Sequence, residues 1–428
     1  MKLEDFLDKS PVNFLAVNTI KEELLGAGFR EIKASDSLGE LRAGDKLFIT
    51  KNDSSLYAFN LGTKTLGDAG FKMICAHCDS PTFRIKPNAE MKCEGGLVKL
   101  NTELYGGAVM STWMDRPLSL AGRVILRGEN ALNPVTRLMH IKRALLTIPN
   151  LAIHFNRQVN DGVKLSKQKD MLPVLGFGMN ESRSGSYVKD LICHELGCDA
   201  GEILDYDLYL YDTTPAGRVG LNGEFVQSGR LDDLSMVHAG LEALTSSEAA
   251  EMTNVLAIFD NEETGSATKQ GAGSPFLASI LERMVLAQGG NREDFYRAIE
   301  KAFMISADNA HAWHPNYPEK MDPTNHPVMG GGPVIKYNAS QKYVSDAASA
   351  AVFMEICAKA GVPCQTFVNH SDVAGGSTLG NILSGSLPLR GVDMGNPIWA
   401  MHSARETGSI QDHEYCIKAF TEFYRFSL

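Results

Sequence analysis

The chain has 428 residues, of which 44% are hydrophobic and 21% are charged, and its formal net charge is −10. This composition is ordinary for a folded globular protein, and the absence of a long basic run argues against nucleic acid as a partner. No apolar run reaches the ~18 residues of a membrane helix, and the first residues lack the basic-then-apolar pattern of a signal peptide. We therefore expect a cytoplasmic protein that binds neither nucleic acid nor membranes.

The eight cysteines are spread through the chain, several of them in apolar segments such as those around Cys75 and Cys357. This usage is typical of reduced core thiols in a cytosolic protein. Cys75 and Cys78 form a CxxC motif, but no second pair stands at the spacing of a zinc ribbon. We therefore expect no structural zinc at these cysteines.

The first part of the chain alternates predicted helices and strands. A serine–proline pair at Ser10 predicts a helix start, and Gly26 predicts its end. Residues 46–50 and 55–60 flank a polar turn and predict a hairpin. Residues 71–76 form a further apolar strand, which is followed directly by a histidine and an aspartate.

Between about residues 92 and 229 the pattern changes to short alternating segments punctuated by glycine and proline. This pattern predicts a β-rich second domain that contains one short helix at 187–195. Further predictions cover strands at 96–100, 118–126, 203–211, 304–307, 334–337 and 391–394, and helices at 233–244, 275–288, 293–302, 346–360 and 411–423. The simplest organisation is one α/β domain (1–91 and 230–428) interrupted by an inserted β-rich domain (92–229).

The central stretch of the chain is Asp260-Asn261-Glu262-Glu263, which follows the apolar residues 254–259. The apolar run predicts a buried, parallel strand. Two adjacent glutamates at its carboxyl end disfavour each other's ionisation, because their negative charges repel. A cation between them would offset this repulsion. Open α/β sheets also bind ligands at strand carboxyl ends. On this stretch alone, a solvated acidic loop remains the alternative.

Metal-binding side chains follow apolar strands or begin helices at five places in the sequence. A lone histidine there is commonly a surface residue, and a lone aspartate before a helix commonly caps it, but five such places favour one shared site. Two imidazoles and three carboxylates suit two zinc, manganese or cobalt ions with one bridging carboxylate. The five places are His77-Cys78-Asp79, Asp232-Asp233, Glu262-Glu263, Asp308 and His402.

Taken together, the motifs resemble the aspartyl aminopeptidases of the aminopeptidase I family of cocatalytic dizinc metallopeptidases. Each motif alone is weak, but the set in this order is highly specific and covers essentially the whole chain. The motifs are AHCDSP at 76–81, SGRLDDL at 228–234, DNEETGS at 260–266, SAD at 306–308, AHAWHPNY at 310–317, GPVIK at 332–336 and AMHSARE at 400–406.

The resemblance implies a mixed-sheet zinc-peptidase catalytic domain of the phosphorylase/hydrolase-like kind. It also implies that the inserted β-rich domain serves dimerisation and covers the site, in dimers that assemble into a tetrahedral dodecamer. The expected substrates are peptides with an unblocked N-terminal Asp or Glu, and the expected cofactors are two divalent ions, zinc first and manganese or cobalt as alternatives.

The resemblance also implies individual roles for the metal ligands and the general base. One metal would be bound by His77 and Asp308, and the other by Glu263 and His402. Asp232 would bridge the two. Asp79 would orient His77, and Glu262 would be the general base. We interpret residues 262 and 263 as extended, so that neighbouring side chains point apart and divide these tasks.

Substrate-binding residues are predicted less directly. Lys336 is the first candidate to read an acidic side chain, with a surface lysine as its alternative. Arg405 is the second, with an ion pair to Glu406 as its alternative. His311 or His314 is expected to stabilise the oxyanion, or else to stabilise the turn beside Pro315.

The segment 149–155 resembles one that reaches a neighbouring subunit's active site, so His154 is predicted to act in trans. Its alternative is a histidine on an alternating strand at 151–155. We expect Cys78, which lies between His77 and Asp79, to pack on the opposite face of its strand.

Three functions are compatible with these motifs. The first is the aminopeptidase, of acidic or neutral preference. The second is a dimetal amidohydrolase or carboxypeptidase of the same fold, which would accept blocked amino ends. The third is a non-catalytic scaffold, against which the full set of ligand candidates and Glu262 argues.

Overall fold

The structure is a computed structural model that describes residues 1–178 and 182–426. The chain divides into two compact units. The first unit comprises Met1–Asp79, Ala216–Met401 and Glu406–Leu428, and the second comprises Ser80–Pro215 and His402–Arg405. The boundaries of the inserted β-rich domain, placed at residues 92 and 229 from the sequence, stay a prediction.

The described ranges contain both helices and strands, each set numbered in chain order. The helices are α1 (Leu3–Lys9), α2 (Asn13–Gly26), α3 (Leu66–Ala69), α4 (Tyr187–Leu196), α5 (Leu231–Thr245), α6 (Phe276–Ala287), α7 (Arg292–Lys301), α8 (Ala347–Ala360), α9 (Leu379–Ser384) and α10 (Ile410–Arg425). The strands are β1 (Arg30–Glu31), β2 (Lys46–Lys51), β3 (Ser55–Asn60), β4 (Phe71–His77), β5 (Thr82–Lys92), β6 (Leu97–Tyr105), β7 (Leu118–Asn130), β8 (Asn133–His140), β9 (Val174–Phe177), β10 (Ile203–Asp212), β11 (Gly217–Val219), β12 (Phe225–Ser228), β13 (Thr253–Phe259), β14 (Phe303–Ala307), β15 (Ala310–His311), β16 (Val334–Tyr337), β17 (Gln365–Val368), β18 (Arg390–Gly395), β19 (Pro397–Trp399) and β20 (Glu406–Ser409).

A mixed sheet with the strand order β1-β2-β3-β13-β4-β14-β18-β16-β17 forms the centre of the first unit. Strand β13 pairs parallel with β4, which pairs parallel with β14, which pairs parallel with β18. Their carboxyl ends therefore meet at one edge of the sheet. The predicted hairpin is confirmed, because β2 and β3 pair antiparallel in register.

The core of the first unit lies on both faces of this sheet. Alternate residues of β13 show this, because Leu256 and Ile258 join one hydrophobic cluster while Val255 and Ala257 join the other. Every residue of β13 is buried, as the continuous apolar run predicted. A smaller sheet with the order β11-β12-β20-β19-β15 completes the unit.

The second unit is built on an antiparallel sheet with the order β8-β7-β10-β5-β6-β9. Helix α4 contributes Val188 and Ile192 to the hydrophobic cluster of this unit. Its N-cap is Ser186, whose side chain accepts the backbone N–H of Lys189, and Gly197 ends it in the left-handed conformation. The sequence predicted this helix, but it missed β8, whose second residue is Pro134.

The helix start predicted at Ser10 is wrong. Helix α1 precedes it, and the backbone N–H of Ser10 bonds to the carbonyl of Leu7, so Ser10 ends α1. Helix α2 then begins at Asn13. Proline is common both at a helix start and just after a helix end. The serine–proline pair was interpreted as a helix start, whereas it follows the end of α1.

Candidate metal centre and catalytic site

The carboxyl ends of three parallel strands bring predicted ligands together. His77 is the last residue of β4 and pairs with Phe259, the last residue of β13, so the sequence from Asp260 onward begins beside it. Asp308 directly follows Ala307, the last residue of β14. The convergence predicted from scattered sequence positions therefore follows from the pairing of neighbouring strands.

The start of helix α5 supplies two further carboxylates. Asp232 and Asp233 both have non-helical backbone angles, and the peptide bond between them is cis. Two side chains stabilise this start through three hydrogen bonds. The Arg230 guanidinium donates to the carbonyl oxygens of Ser10 and Leu7, and the Asn309 amide donates to that of Leu231 at 2.7 Å.

The side chains form overlapping groups that could hold a metal ion. Ligand atoms of four buried residues lie within 4.8 Å of one another, and those of His77, Glu262 and Glu263 meet the same limit. Asp232 and Glu263 also offer ligand atoms within 4.8 Å of each other. The four buried residues are His77, Asp232, Asp233 and Asp308.

The electrostatics of this cluster favour a cation. Burial, together with the carboxylates of Asp308 and Glu263, raises the pKa of Glu262 to about 8. Burial likewise raises the pKa of Asp308 and of Asp233. Burial opposes protonation of His77, but contact with the Asp232 and Asp79 carboxylates raises its pKa well above the ordinary value. The cluster thus retains protons that a divalent ion would replace, and the imidazole and carboxylate donors fit zinc.

Asp79 connects the end of β4 to the turn that follows β13 through hydrogen bonds. Its carboxylate oxygens accept the backbone N–H groups of Glu262 at 3.1 Å and of Glu263 at 3.2 Å. His77 Nδ1 lies 3.0 Å from the Asp79 carbonyl oxygen and 3.4 Å from its Oδ1. Asp79 thus contacts His77 through both its backbone carbonyl and its carboxylate, and the carboxylate also accepts the backbone N–H groups of both glutamates.

The expectation that residues 262 and 263 are extended is wrong. Asn261 adopts the left-handed conformation at φ 60°, and Glu262–Thr264 form a 3₁₀ turn. The turn closes with the Gly265 N–H donating to the Glu262 carbonyl, and Gly265 has φ 96°. Strand alternation therefore does not separate the two glutamates. Their positions are set by the turn and by Asp79.

Asp233 and Asn309 are two residues whose roles the sequence reasoning missed. The Asp233 carboxylate accepts the backbone N–H of His77 at 3.1 Å, and it lies 3.5 Å from the Asn309 amide nitrogen. Asn309 also exchanges hydrogen bonds with Ser235 at 3.0 and 3.2 Å. The doubled aspartate and the Asp308-Asn309 pair were the available signals.

His402 lies in the short segment His402–Arg405 of the second unit. Its backbone has φ 68°, its carbonyl accepts the Val109 N–H at 3.0 Å, and its Nδ1 lies 3.2 Å from the Gly107 carbonyl oxygen. In the same segment the Arg405 guanidinium donates to the carbonyl oxygens of Thr214 and Pro215 at 2.8 and 3.0 Å.

Lys336 is only 3% exposed, so the alternative of a surface lysine is wrong. Its ammonium donates to the Asp308 carbonyl at 2.7 Å and lies 3.4 Å from Asp308 Oδ2. It also lies 5.4 Å from the centroid of the Tyr343 ring. Burial works against its charge, but the Asp308 carboxylate raises the pKa of Lys336 above its usual value. The Lys336 ammonium therefore lies beside the carboxylate of Asp308, one of the residues that could hold a metal ion.

The remaining predicted histidines have different environments. His311 is exposed at the end of β15, and its ring lies edge-on to that of Phe367, with 6.1 Å between the ring centroids. His314 Nδ1 accepts the Asn316 N–H at 3.2 Å, which stabilises the local turn. His154 lies in an exposed turn, so the alternative of an alternating strand at 151–155 is wrong.

Cys78 is buried, and its thiol donates to the carbonyl oxygens of Ser54 at 3.1 Å and Phe259 at 3.4 Å. Burial raises the pKa of this thiol well above its ordinary value. These contacts agree with the packing role expected for Cys78.

The fold and the site together define a mixed-sheet α/β protein with a buried cluster suited to divalent metal. Residues 6–424 match the family model described as aminopeptidase I zinc metalloprotease (M18). A probable M18 family aminopeptidase 2 of Clostridium acetobutylicum is 53% identical over 423 residues, which cover 99% of this chain and 98% of that protein.

Two solved structures extend the comparison. A cryo-EM structure of an Ape4 and Nbr1 complex matches with TM-score 0.94 at 34% identity, covering 99% of this chain and 84% of that chain. An mApe1 dodecamer from S. cerevisiae matches with TM-score 0.86 at 23% identity, covering 99% and 95%. At 23% identity, the similarity to the S. cerevisiae structure supports the fold alone.

The chain belongs to the M18 family of aminopeptidase I zinc metalloproteases. It is therefore a metallo-aminopeptidase, as the motifs predicted. In the part of the chain that the structure describes, no helix combines the length and the apolar character that crossing a membrane requires.

Proposed function

We propose that the protein removes an N-terminal Asp or Glu from peptides with a free amino end, using two divalent metal ions and Glu262 as general base. The observation that carries this proposal is the buried meeting of His77, Asp232 and Asp308 beside the Glu262-Glu263 turn. Buried carboxylates at this density are stable when they bind cations.

The metal-binding roles divide between the strand ends and helix α5. His77 and Asp308 would hold one ion, Glu263 and His402 the other, and Asp232 would bridge them. The 3.6 Å separation of His77 Nε2 and Asp232 Oδ1 supports a shared ion for these two side chains. Zinc is the expected metal, because the donors are imidazole and carboxylate and the family is described as zinc-dependent.

When bound, the two ions would polarise the scissile carbonyl and lower the pKa of a water from about 15.7 to about 7. Glu262 would take a proton from that water at its carboxylate and give it to the departing amino nitrogen. Asp79 holds the backbone of both glutamates, so it would keep Glu262 aimed at the water. His311 or His314 would stabilise the oxyanion.

The acidic preference rests on positive charge near the cluster. Lys336 supplies a buried ammonium beside Asp308, and Arg405 is the second candidate. Lys336→Met should raise the KM for an Asp substrate far more than for a Leu substrate if Lys336 reads the side chain. Arg405→Met is the matched comparison, and metal content should be measured in both variants because Lys336 also contacts Asp308.

The assembly would place second-unit residues at a neighbouring site. We propose that the β-rich part serves dimerisation and covers the site, and that dimers build a tetrahedral dodecamer. The exposed segment around His154 supports this proposal, because Leu151, Ile153 and Phe155 present apolar side chains there. Light scattering of the purified protein tests the assembly directly.

A panel of fluorogenic aminoacyl-coumarins tests the reaction, the metal requirement and the preference together. Protein stripped of metal should be inactive and should recover with zinc, manganese or cobalt, and Asp and Glu substrates should be cleaved fastest. If a substrate with a neutral N-terminal residue were cleaved fastest, the acidic preference would be refuted, but the aminopeptidase reaction and its metal requirement would still stand. Hydrolysis of N-acetyl-Asp-X as fast as Asp-X would instead identify an amidohydrolase or carboxypeptidase of the same fold.

A further inference from the structure

The peptide group between Leu231 and Asp232 is held by hydrogen bonds on both sides. The Leu231 carbonyl accepts the Asn309 side-chain amide at 2.7 Å, and the Asp232 N–H donates to Glu406 Oε2 at 3.1 Å. Both partner side chains are buried, because Asn309 is 2% exposed and Glu406 is 1% exposed. The carbonyl and the N–H of a trans peptide group point in opposite directions in one plane, so the two hydrogen bonds together fix the orientation of that plane.

Strand pairing brings Glu406 to this peptide group. Glu406 is the first residue of β20, and it pairs antiparallel with Ser228, the last residue of β12. Helix α5 begins shortly after Ser228, at Leu231. The first N–H groups of a helix have no partner within the helix, and the backbone of Asp232 is itself non-helical. The Glu406 side chain therefore supplies an acceptor that the helix cannot supply.

The start of α5 is also connected to two other predicted metal ligands. Asn309 directly follows Asp308, so its side chain joins the end of β14 to the start of the helix. The His77 N–H donates to the Asp233 carboxylate at 3.1 Å, which joins the end of β4 to the same place. A movement of this peptide group would therefore shift the Asp232 carboxylate relative to both His77 and Asp308.

We propose that Glu406 is a positioning residue, which fixes the Asp232 carboxylate by holding the backbone N–H of Asp232. This inference rests on the bridging role proposed for Asp232. A carboxylate that bridges two ions about 3.5–4 Å apart directs one oxygen at each ion, so its orientation affects both ions at once. Among the described residues, the groups of side chains that could hold a metal ion do not include Glu406. Glu406 therefore acts through Asp232.

A helix cap without influence on the metals is the competing role for Glu406. An acceptor at the first turn stabilises a helix, and negative charge is favourable at that end. Loss of a cap lowers the free energy of unfolding, but it leaves metal binding by the folded protein unchanged. Loss of a positioning residue weakens metal binding even when the protein is fully folded. Metal binding to the folded protein therefore separates the two roles.

The test compares two substitutions of Glu406 in the full chain. Glu406→Met is similar in length and removes the acceptor, whereas Glu406→Gln keeps a side-chain oxygen that can accept the Asp232 N–H. Zinc titration against a competing chelator, at a temperature where each protein is folded, should show that Glu406→Met binds both ions about 10–100-fold more weakly. Glu406→Gln should recover most of that affinity. A Gln variant as weak as the Met variant would refute the hydrogen bond as the cause.

The EPR spectrum of the manganese-loaded protein provides a second readout. Two manganese ions that share a bridging carboxylate are magnetically coupled, so the spectrum reports the bridge and not the stability of the fold. We expect coupling in the wild-type protein and altered coupling in Glu406→Met when both ions are bound. Uncoupled ions in the wild-type protein would refute the proposed bridge itself. Wild-type coupling and wild-type affinity in Glu406→Met would refute the positioning role alone.

Asp412→Leu is the matched control. Asp412 is also a fully buried carboxylate that accepts backbone N–H groups, those of Gly330 and Gly332, at 2.7 and 2.8 Å. This variant should unfold at a lower temperature than the wild type and bind metal as tightly. A loss of affinity equal to that of Glu406→Met would overturn the proposal, because general destabilisation would then explain both. If Glu406→Met does not fold, Glu406→Asp, whose carboxylate is withdrawn by one methylene, takes its place in the comparison with Glu406→Gln.

Discussion

The edge of the central sheet and the exposed turn around His154 present their functional side chains in opposite ways. At the sheet edge His77 and Asp308 are buried, and each contacts a neighbouring charged residue of the same unit. In the turn, residues 151–155 are all exposed, and Phe155 is 81% exposed. Residues of a single chain fix the positions of the side chains at the sheet edge. The exposed side chains of the turn would be fixed only by contact with another subunit.

The difference shows which roles one subunit can support. A buried carboxylate cluster is stable only when its charges are neutralised by a bound cation or by protons, because the carboxylates have lost their contact with solvent. An exposed histidine makes no such demand. The proposal for His154 therefore depends on assembly, and the proposal for the ligands does not. Substitutions in the two regions test this contrast, and the largest effect is expected at the general base.

Replacing Glu262 by Gln should reduce kcat by about 10²–10⁴-fold, because the amide cannot accept the proton of the attacking water. Metal content should stay at the wild-type level, since other side chains hold the ions. Turnover on an Asp-coumarin substrate and metal analysis by mass spectrometry check both parts. Ordinary turnover with full metal would remove Glu262 from the role of base.

His154→Ala should reduce kcat by about 10²-fold, because its imidazole is proposed to act in the active site of a neighbouring subunit. The metal content and the assembly size should not change. The matched control is His194→Ala, which removes a histidine of the same unit whose side chain is 79% exposed. Equal activity of both variants and the wild type would dismiss the role in trans.

Much of the fold could be predicted from the sequence, because strands of the central sheet that are buried on both faces appear in the sequence as continuous apolar runs. The strands at 55–60 and 334–337 have the predicted bounds. Errors arose where one local signal has two meanings. The serine–proline pair at Ser10 ends one helix instead of starting another, and Asn261 interrupts the extended chain that was expected at the two glutamates.

The sequence was sufficient to expect that His77, Asp308 and the Glu262-Glu263 pair lie close together, and their roles in metal binding and catalysis stay predictions. Parallel pairing of β4, β13 and β14 places their following residues together, and this can be inferred once the strands are recognised. The contacts of Asp233 with the His77 backbone and of Lys336 with Asp308 depend on three-dimensional packing. The doubled aspartate marks Asp233 as a residue of interest, but the partners of Asp233 and Lys336 cannot be derived from the sequence and are given by the structure.

Asn309→Ala should lower metal affinity by about tenfold, the lower range for residues that orient ligands. The variant loses the hydrogen bond to the Leu231 carbonyl that holds the start of helix α5, where Asp232 lies. Asn60→Ala is the matched control, because Asn60 is also buried and donates to a backbone carbonyl, that of Ser247, at 3.0 Å. Zinc titration against a competing chelator should show weaker zinc binding in Asn309→Ala and unchanged binding in Asn60→Ala. An equal loss of zinc affinity in both variants would show that general destabilisation of the fold is the cause.

Asp412 is a buried carboxylate held by backbone N–H groups, those of Gly330 and Gly332, at 2.7 and 2.8 Å. Burial raises its pKa from 3.8 to about 6, so between these values the folded protein binds a proton that the unfolded chain releases. The free energy of unfolding should therefore fall as pH rises from about 4 to about 6, by about 3 kcal/mol at most from this group.

Asp412→Asn should flatten that part of the pH profile in urea unfolding of the zinc-loaded protein. The difference between the variant and the wild type isolates Asp412 from the carboxylates of the metal cluster, which are present in both. An unchanged slope in the variant would show that Asp412 does not take up a proton in this range. A buried carboxylate would then be accommodated by backbone N–H groups alone, and the density of charge at the sheet edge, more than burial itself, would account for the need for a cation there.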